Sequence, residues 1–234
     1  MSATSLLRSQ IEARIPSAFA VYRRPDCKTI PTGISQIDDL HGGVPVGAIT
    51  EICGSNEASS GKTSVLVSLL ANASQDHFCA LVDATDSFDP APAQTTGMSL
   101  SRLLWIRCGK NQSKLKPLEQ AFKATDILLQ SSGFGLIVVD LGSIAERFVR
   151  NVPLSSWFRF ARVVEKQSTA LVFIEQQPHA TSCAGLVLRM TTDPATVSGK
   201  LITEFNLRAE VMRSREKKPI QSTRERFSVK TLWA

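Results

Sequence analysis

Histidine is scarce in this chain, three in 234 residues, and the five cysteines form no Cys-x-x-Cys pair. The histidines (His41, His77, His179) lie far from one another, and the cysteines (Cys27, Cys53, Cys79, Cys108, Cys183) are odd in number and widely spaced. The ligand spacing of a zinc site is therefore missing, and the thiols read as reduced. Uninterrupted apolar stretches are also short: none approaches the roughly 18 to 20 residues of a membrane helix. The opening Met1-Ser-Ala-Thr-Ser-Leu-Leu-Arg8 lacks the charged-then-apolar layout of a secretory signal. No membrane partner is expected, and a cytoplasmic location is the default. There is neither an internal repeat nor a low-complexity segment.

What is present suffices for one α/β domain of ordinary size, since 43% of the residues are hydrophobic. The net charge is +6 and unevenly spread. Residues 206–234 carry eight Lys or Arg against three Glu, and residues 1–28 carry five basic against two acidic side chains. Such surpluses suit a phosphate backbone, and equally a solvated surface.

The run Gly54-Ser-Asn-Glu-Ala-Ser-Ser-Gly61-Lys62-Thr63 follows the apolar Ala48 to Cys53 and precedes Ser64 to Leu70. That order reads as a strand, a phosphate loop and a helix start. Backbone N–H groups from Gly54, Ser59, Ser60 and Gly61 would cradle phosphate, Lys62 would reach the outer phosphates, and the Thr63 hydroxyl would hold Mg²⁺. The spacing is irregular. Asn56 stands where a glycine is usual, six residues before the lysine, so either Asn56 adopts the left-handed conformation or the loop bulges by two.

Leu6, Leu7, Ile11 and Ile15 predict an N-terminal amphipathic helix ended by Pro16, and Pro16 to Lys28 reads as a linker. Beyond it, strands alternate with helices. Strands are expected at Phe78–Asp83, Leu103–Arg107, Gly135–Asp140 and Ala170–Glu175, and helices from the phosphate loop to about Ser74, over Lys116–Ser131 and around Ser155–Glu165. This grammar predicts a doubly wound, mostly parallel sheet with helices on both faces. Gly185–Thr191, Lys200–Met212 and Arg226–Trp233 read as an antiparallel, basic edge. The expected organisation is residues 1–28 as helix and linker, 29–205 as core, and 206–234 as a basic strand segment of the same domain. Ligands of such sheets bind at the carboxyl ends of the strands, where Gly54, Asp83, Asp140 and Gln176 converge. Asp140, after four apolar residues, is placed to complete the Mg²⁺ shell opposite Thr63.

From about Ile30 to about Arg215 the chain resembles the bacterial RecA recombinase family. The resemblance runs through Ile30-Pro-Thr-Gly-Ile-Ser-Gln-Ile-Asp38, Gly42 to Ile52, Ser59 to Thr63, Val82 to Pro90, Leu136 to Leu141 and Leu171 to Gln176. It implies ATP and Mg²⁺ as cofactors, Asp89 at the adenine corner, Gln176 as a γ-phosphate sensor, and Arg213 and Arg215 as contacts to a neighbouring subunit's phosphate in a homo-oligomer. Departures matter as much. The family's water-activating glutamate is replaced by Thr85, which cannot act as a carboxylate base, so hydrolysis is expected to be slow or absent unless Asp86 substitutes. Pro92 stands where the family offers an aromatic ring to adenine. The segments Leu141–Leu154 and Gln177–Ala184, where the family carries DNA-binding loops, are short.

Within that family the phrases Thr50-Glu-Ile-Cys-Gly54, Leu103 to Cys108, Glu119 to Asp126 and Leu154 to Arg159 are similar to the ImuA type, RecA-like accessories of inducible translesion mutagenesis. That resemblance implies an adaptor in the SOS response to DNA damage. It also implies DNA contact through the basic C-terminal segment and partnership with a Y-family polymerase-like protein, an error-prone replicative-type polymerase and RecA itself. Two other readings stand beside it: a compact recombinase paralogue with DNA-stimulated ATPase, and a protein-binding inhibitor on a degenerate RecA fold, like certain cell-division inhibitors. Trp157 and Phe158 are either a partner anchor or the packing face of a helix.

Overall fold

The computed structural model describes residues 28–55, 60–109, 116–198, 201–215 and 224–230. The expected N-terminal helix, most of its linker, and Asn56 and Ser59 of the phosphate loop lie outside those residues. The strands are β1 (Thr29–Ile30), β2 (Val44–Pro45), β3 (Ile49–Cys53), β4 (Cys79–Asp83), β5 (Leu103–Arg107), β6 (Leu136–Asp140), β7 (Ala170–Glu175), β8 (Ala184–Ser198), β9 (Leu201–Ser214) and β10 (Arg224–Lys230). The helices are α1 (Ser35–His41), α2 (Lys62–Ala73), α3 (Pro90–Thr95), α4 (Pro117–Ser131), α5 (Glu146–Val149) and α6 (Leu154–Val164).

Eight strands form one sheet in the order β10-β9-β8-β3-β7-β6-β4-β5, and β1 pairs separately with β2. From β8 to β5 every pairing is parallel, while β9 and β10 run antiparallel. The mostly parallel, doubly wound sheet is as the strand and helix alternation predicts. Burial on both faces explains the apolar runs: Leu171 and Phe173 of β7 belong to one core cluster, and Ala170, Val172 and Ile174 to the other. On the first face α4 and α6 pack through Ala121, Leu128, Trp157, Phe160 and Val164. On the second, α1 and α2 contribute Ile37, Leu40, Val65, Leu66, Leu69 and Leu70.

Local chemistry sets the helix starts. Asp89 caps α3 by accepting the Ala91 N–H at 2.9 Å, with Pro90 at the first helical position. Glu119 reaches back to the Lys116 N–H at 3.3 Å at the head of α4. Trp157 resolves its own alternative: it is buried and meets Phe173 edge-on at 4.8 Å, whereas its neighbour Phe158 is exposed.

Two features differ from the sequence expectation. The short helix α5 lies within Leu141–Leu154, read as a short loop. β8 runs on to Ser198, past the Thr191 expected as its end, because the pairing with β9 shifts register between Asp193 and Thr196 and so absorbs Pro194 as a bulge. The Asn206 side chain donates to the Pro194 carbonyl at 2.7 Å, replacing part of the interrupted ladder.

Candidate functional site

β3 and β4 are consecutive in the chain but separated in the sheet by β7 and β6. The carboxyl end of β3 therefore lies beside that of β7, with the end of β6 beyond it, which is where ligands of such sheets bind. Three strand ends meet around Lys62: its ammonium bonds the carbonyls just after β3 and at the end of β7, and the Asp140 carboxylate at the end of β6 lies close by.

The phosphate-loop backbone depends on two glycines. Gly61 precedes α2 with φ +77°, and a Cβ there would stand 2.8 Å from Leu207 Cδ1. At Gly54 a Cβ would meet Ser60 Oγ at 2.6 Å and the Met190 carbonyl at 2.8 Å. Ser60 is buried and Thr63 is exposed in the first turn of α2. Lys62 is buried, and its ammonium donates to the carbonyls of Gly54 at 2.6 Å and Glu175 at 3.1 Å. Desolvation holds its pKa below the usual lysine range, with nearby Asp140 pulling the other way. Asp140 Oδ1 accepts the Gly142 N–H at 2.8 Å. Burial pushes the Asp140 carboxyl up to about 6, against that hydrogen bond and the Lys62 charge. A Cβ built at Gly142 would lie 3.0 Å from Asp140 Oδ1 and 3.8 Å from Lys62 Nζ, so ammonium and carboxylate border one small space.

This donor set fits a magnesium nucleotide. It offers an ammonium, a carboxylate beside it, a hydroxyl on the first helical turn, and two glycines, Gly54 and Gly61, that leave room for no side chain. Among the described residues, no group of three or more His, Cys, Asp or Glu side chains could hold a metal ion. A Mg²⁺ here would rest on Thr63, Asp140 and phosphate oxygens.

The remaining candidates are placed as follows. Gln176 donates through Nε2 to the Ile144 carbonyl at 2.8 Å and to that of Gly142 at 3.3 Å, tying β7 to the segment after β6. Asp89 sits at the start of α3 as its cap. Asp86, at φ +57°, pairs with Arg107; a carboxylate held by a guanidinium is a weaker base, so a substitute catalytic role has to compete with that pair. Thr85 lies in the turn that Asp83 organises by accepting the N–H groups of Thr85, Ser87 and Phe88. Arg213 donates to the Thr181 carbonyl at 2.5 Å and Arg215 to that of Ser182, both within their own chain.

Sequence reasoning passed over Glu51, Glu175 and His179. Glu51 and Glu175 are buried, and His179 Nδ1 lies 2.6 Å from Glu175 Oε2. The available signal was a glutamate in the middle of β3 and another closing β7, charges inside apolar strands.

On β9 and β10, Leu207 and Phe227 face the core with α2. Their neighbours Arg208 and Arg226, cross-strand partners, therefore face the other side. There they meet Asp193, and Arg224 meets Glu210 at 2.5 Å. A cleft of about 600 Å³ opens on this side among Asp193, Asn206, Arg208, Arg226 and Ser228. No helix among the described residues is long and apolar enough to cross a membrane.

Comparison with known proteins identifies relatives. The RecA N-terminal domain family matches residues 18–150. Protein RecA of Rickettsia canadensis (strain McKiel) is 34% identical over 129 residues, covering 53% of this chain and 35% of that protein. Protein RecA of Rickettsia africae (strain ESF-5) is 35% identical over the same shares of each. The chain thus matches about a third of the length of these curated relatives.

Proposed function

The chain belongs to the RecA N-terminal domain family, and from that premise we propose that it is an ATP-binding accessory protein in DNA damage tolerance whose nucleotide site works as a switch with slow or no turnover. The observation that carries the reading is the meeting of groups around Lys62. Lys62 and Asp140, from α2 and the end of β6, border one space beside Gly142, whose carbonyl accepts the Gln176 side chain from the end of β7. In that space Gly61 and the neighbouring amides bind phosphate, Lys62 neutralises it, and Thr63 and Asp140 hold Mg²⁺, whose charge screens the phosphates.

Slow turnover follows from the side chains available to a water. Thr85 replaces the carboxylate base, and Asp86 is engaged by Arg107. The accessory role rests on the ImuA-type phrases and on the short, internally bonded segments after β6 and β7, which leave little to stretch a DNA strand. A Y-family polymerase-like protein, an error-prone replicative-type polymerase and RecA are the partners this reading names. DNA contact would fall on the arginine face of β9 and β10, where a backbone phosphate competes with Asp193 and Glu210 for Arg208, Arg224 and Arg226. Arg213 and Arg215 would reach a neighbour's phosphate after leaving the Thr181 and Ser182 carbonyls.

The test is thermal stability with and without a saturating non-hydrolysable Mg-ATP analogue, beside Lys62→Ala. Binding at about a hundred times the dissociation constant adds roughly 2.7 kcal/mol, a shift of several degrees. A shift lost in Lys62→Ala supports the switch. No shift in either protein removes the nucleotide from the function and favours a protein-binding scaffold.

A further inference from the structure

Beneath the phosphate loop lies a cluster of acids that nucleotide chemistry does not require. Glu51 of β3 and Glu175 of β7 are both fully buried, on adjacent parallel strands. Glu51 Oε1 accepts the N–H groups of His179 at 2.5 Å and Ala180 at 2.7 Å. Glu175 Oε2 meets His179 Nδ1 at 2.6 Å. The other two oxygens, Glu51 Oε2 and Glu175 Oε1, are buried with no hydrogen-bond partner among the described residues. Two carboxylates beside one imidazole, with two lone-pair sites unmet, cannot all hold their charges cheaply. A proton retained by the cluster relieves this.

The cluster is wired to the loop above it by the backbone. The Glu175 carbonyl accepts both the Gly54 N–H, at 3.1 Å, and the Lys62 ammonium, at 3.1 Å. From the outside, Arg213 and Arg215 hold Thr181 and Ser182 of the segment that His179 begins to turn. Residues 177–183 are thus gripped on both sides.

We propose that Glu51, Glu175 and His179 form a proton-holding latch that pins residues 177–183 to the phosphate-loop strand and takes up a proton when phosphate occupies the loop. This rests on the nucleotide reading above. The charge of Lys62 favours the ionised form of Glu175, and a bound phosphate cancels much of that charge. The cluster's proton affinity therefore rises on binding, and by reciprocity nucleotide affinity falls as pH rises through the cluster's titration. Burial already pushes Glu175 up to about 7. Glu51 is raised by burial, against the Ala180 and His179 N–H groups. Burial opposes the His179 charge, but the Glu175 hydrogen bond and the charges of Glu175, Glu51 and Glu146 outweigh it and raise its pKa. The other groups facing the cluster are Lys62 from α2, Arg213 from β9, and the thiols Cys53 and Cys183, whose own pKa values burial raises.

Calorimetric titration of the full chain with a non-hydrolysable Mg-ATP analogue, at pH 7 in buffers of differing ionisation heat, reads the protons exchanged. The wild type is expected to take up a fraction of a proton, and its affinity to fall about threefold to tenfold from pH 6 to pH 8. Glu175→Gln keeps the size and an oxygen toward His179 but cannot titrate. It should bind with the analogue's own pH dependence alone, and subtracting that from the wild type leaves the cluster's contribution. His179→Asn is the second variant if Glu175→Gln does not fold, with the same expectation. Binding in the wild type without proton uptake, or equal uptake in the variant, overturns the latch and leaves the nucleotide reading standing. Absence of any binding overturns both.

Discussion

Arg107 grips Asp86 at two points, Nε to Oδ1 at 2.5 Å and Nη2 to Oδ2 at 2.9 Å. The guanidinium also lies over the Trp105 ring at 4.7 Å, so it is held from behind as well. The carboxylate nearest to the missing base is therefore committed to an ion pair at the edge of the sheet.

Restoring a carboxylate one residue earlier should change the chemistry more than releasing Asp86 does. Thr85→Glu is expected to raise ATP turnover at least tenfold above the wild type, read by phosphate release, consistent with the usual size of general-base effects. Arg107→Ala is expected to leave turnover within about threefold of the wild type, since its benefit requires Asp86 to re-aim from a turn fixed by Asp83.

Stability should decline as pH rises. Burial raises Glu175 to about 7 and Asp140 to about 6, from 4.5 and 3.8, and Glu51 and His179 move the same way. Between pH 4 and 7 the folded chain thus holds more protons than the unfolded one. The stabilisation is fully present below the unfolded pKa values and is lost as pH passes through the folded ones. The midpoint of thermal unfolding without nucleotide should fall by several degrees from pH 5 to pH 8, and Glu175→Gln should flatten that slope.

Arginine on the outer face of β10 should act through charge alone. The Arg226 side chain is 72% exposed and reaches Asp193 at 3.5 Å. Arg226→Ala is expected to lower single-stranded DNA affinity without sequence preference. It should also reduce the slope of log affinity against log salt by about 1, measured by fluorescence anisotropy across a salt series.

Adjacent aromatics on α6 should respond oppositely to truncation. Trp157 is 1% exposed and packs on Phe122 and Phe173, so Trp157→Ala should cost about 3 to 5 kcal/mol in denaturant unfolding. Phe158 is 45% exposed, and Phe158→Ala should stay within about 0.5 kcal/mol.

The parts of this architecture that rest on local signals were legible from residues alone. Apolar runs ending in Asp83, Asp140 and Glu175 mark the parallel strands, and Gly61-Lys62-Thr63 marks the loop and the start of α2. Less legible was whatever depends on distant pairing. The length of β8 is one such part, because nothing in the neighbourhood of Pro194 shows that Asn206 will cover the break. Gln176 reads equally as sensor or strand-end amide, and its bonds to Gly142 and Ile144 tie segments that no local pattern brings together. Glu51 and Glu175 show locally only as charges inside apolar strands, and that they meet at His179 depends on the pairing of β3 with β7.

A side chain at Gly61 would strike Leu207 and one at Gly54 the Met190 carbonyl, so β8 and β9 close the space behind these two glycines. The stretch that carries the family match ends at residue 150, before either strand and before Glu175. Kinship and self-sufficiency are therefore different properties here. A fragment cut to the recognisable stretch would keep Lys62, Thr63 and Asp140 but lose Gln176 and the surfaces behind Gly54 and Gly61, and the hairpin that follows is as much a component of the site as the glycines are.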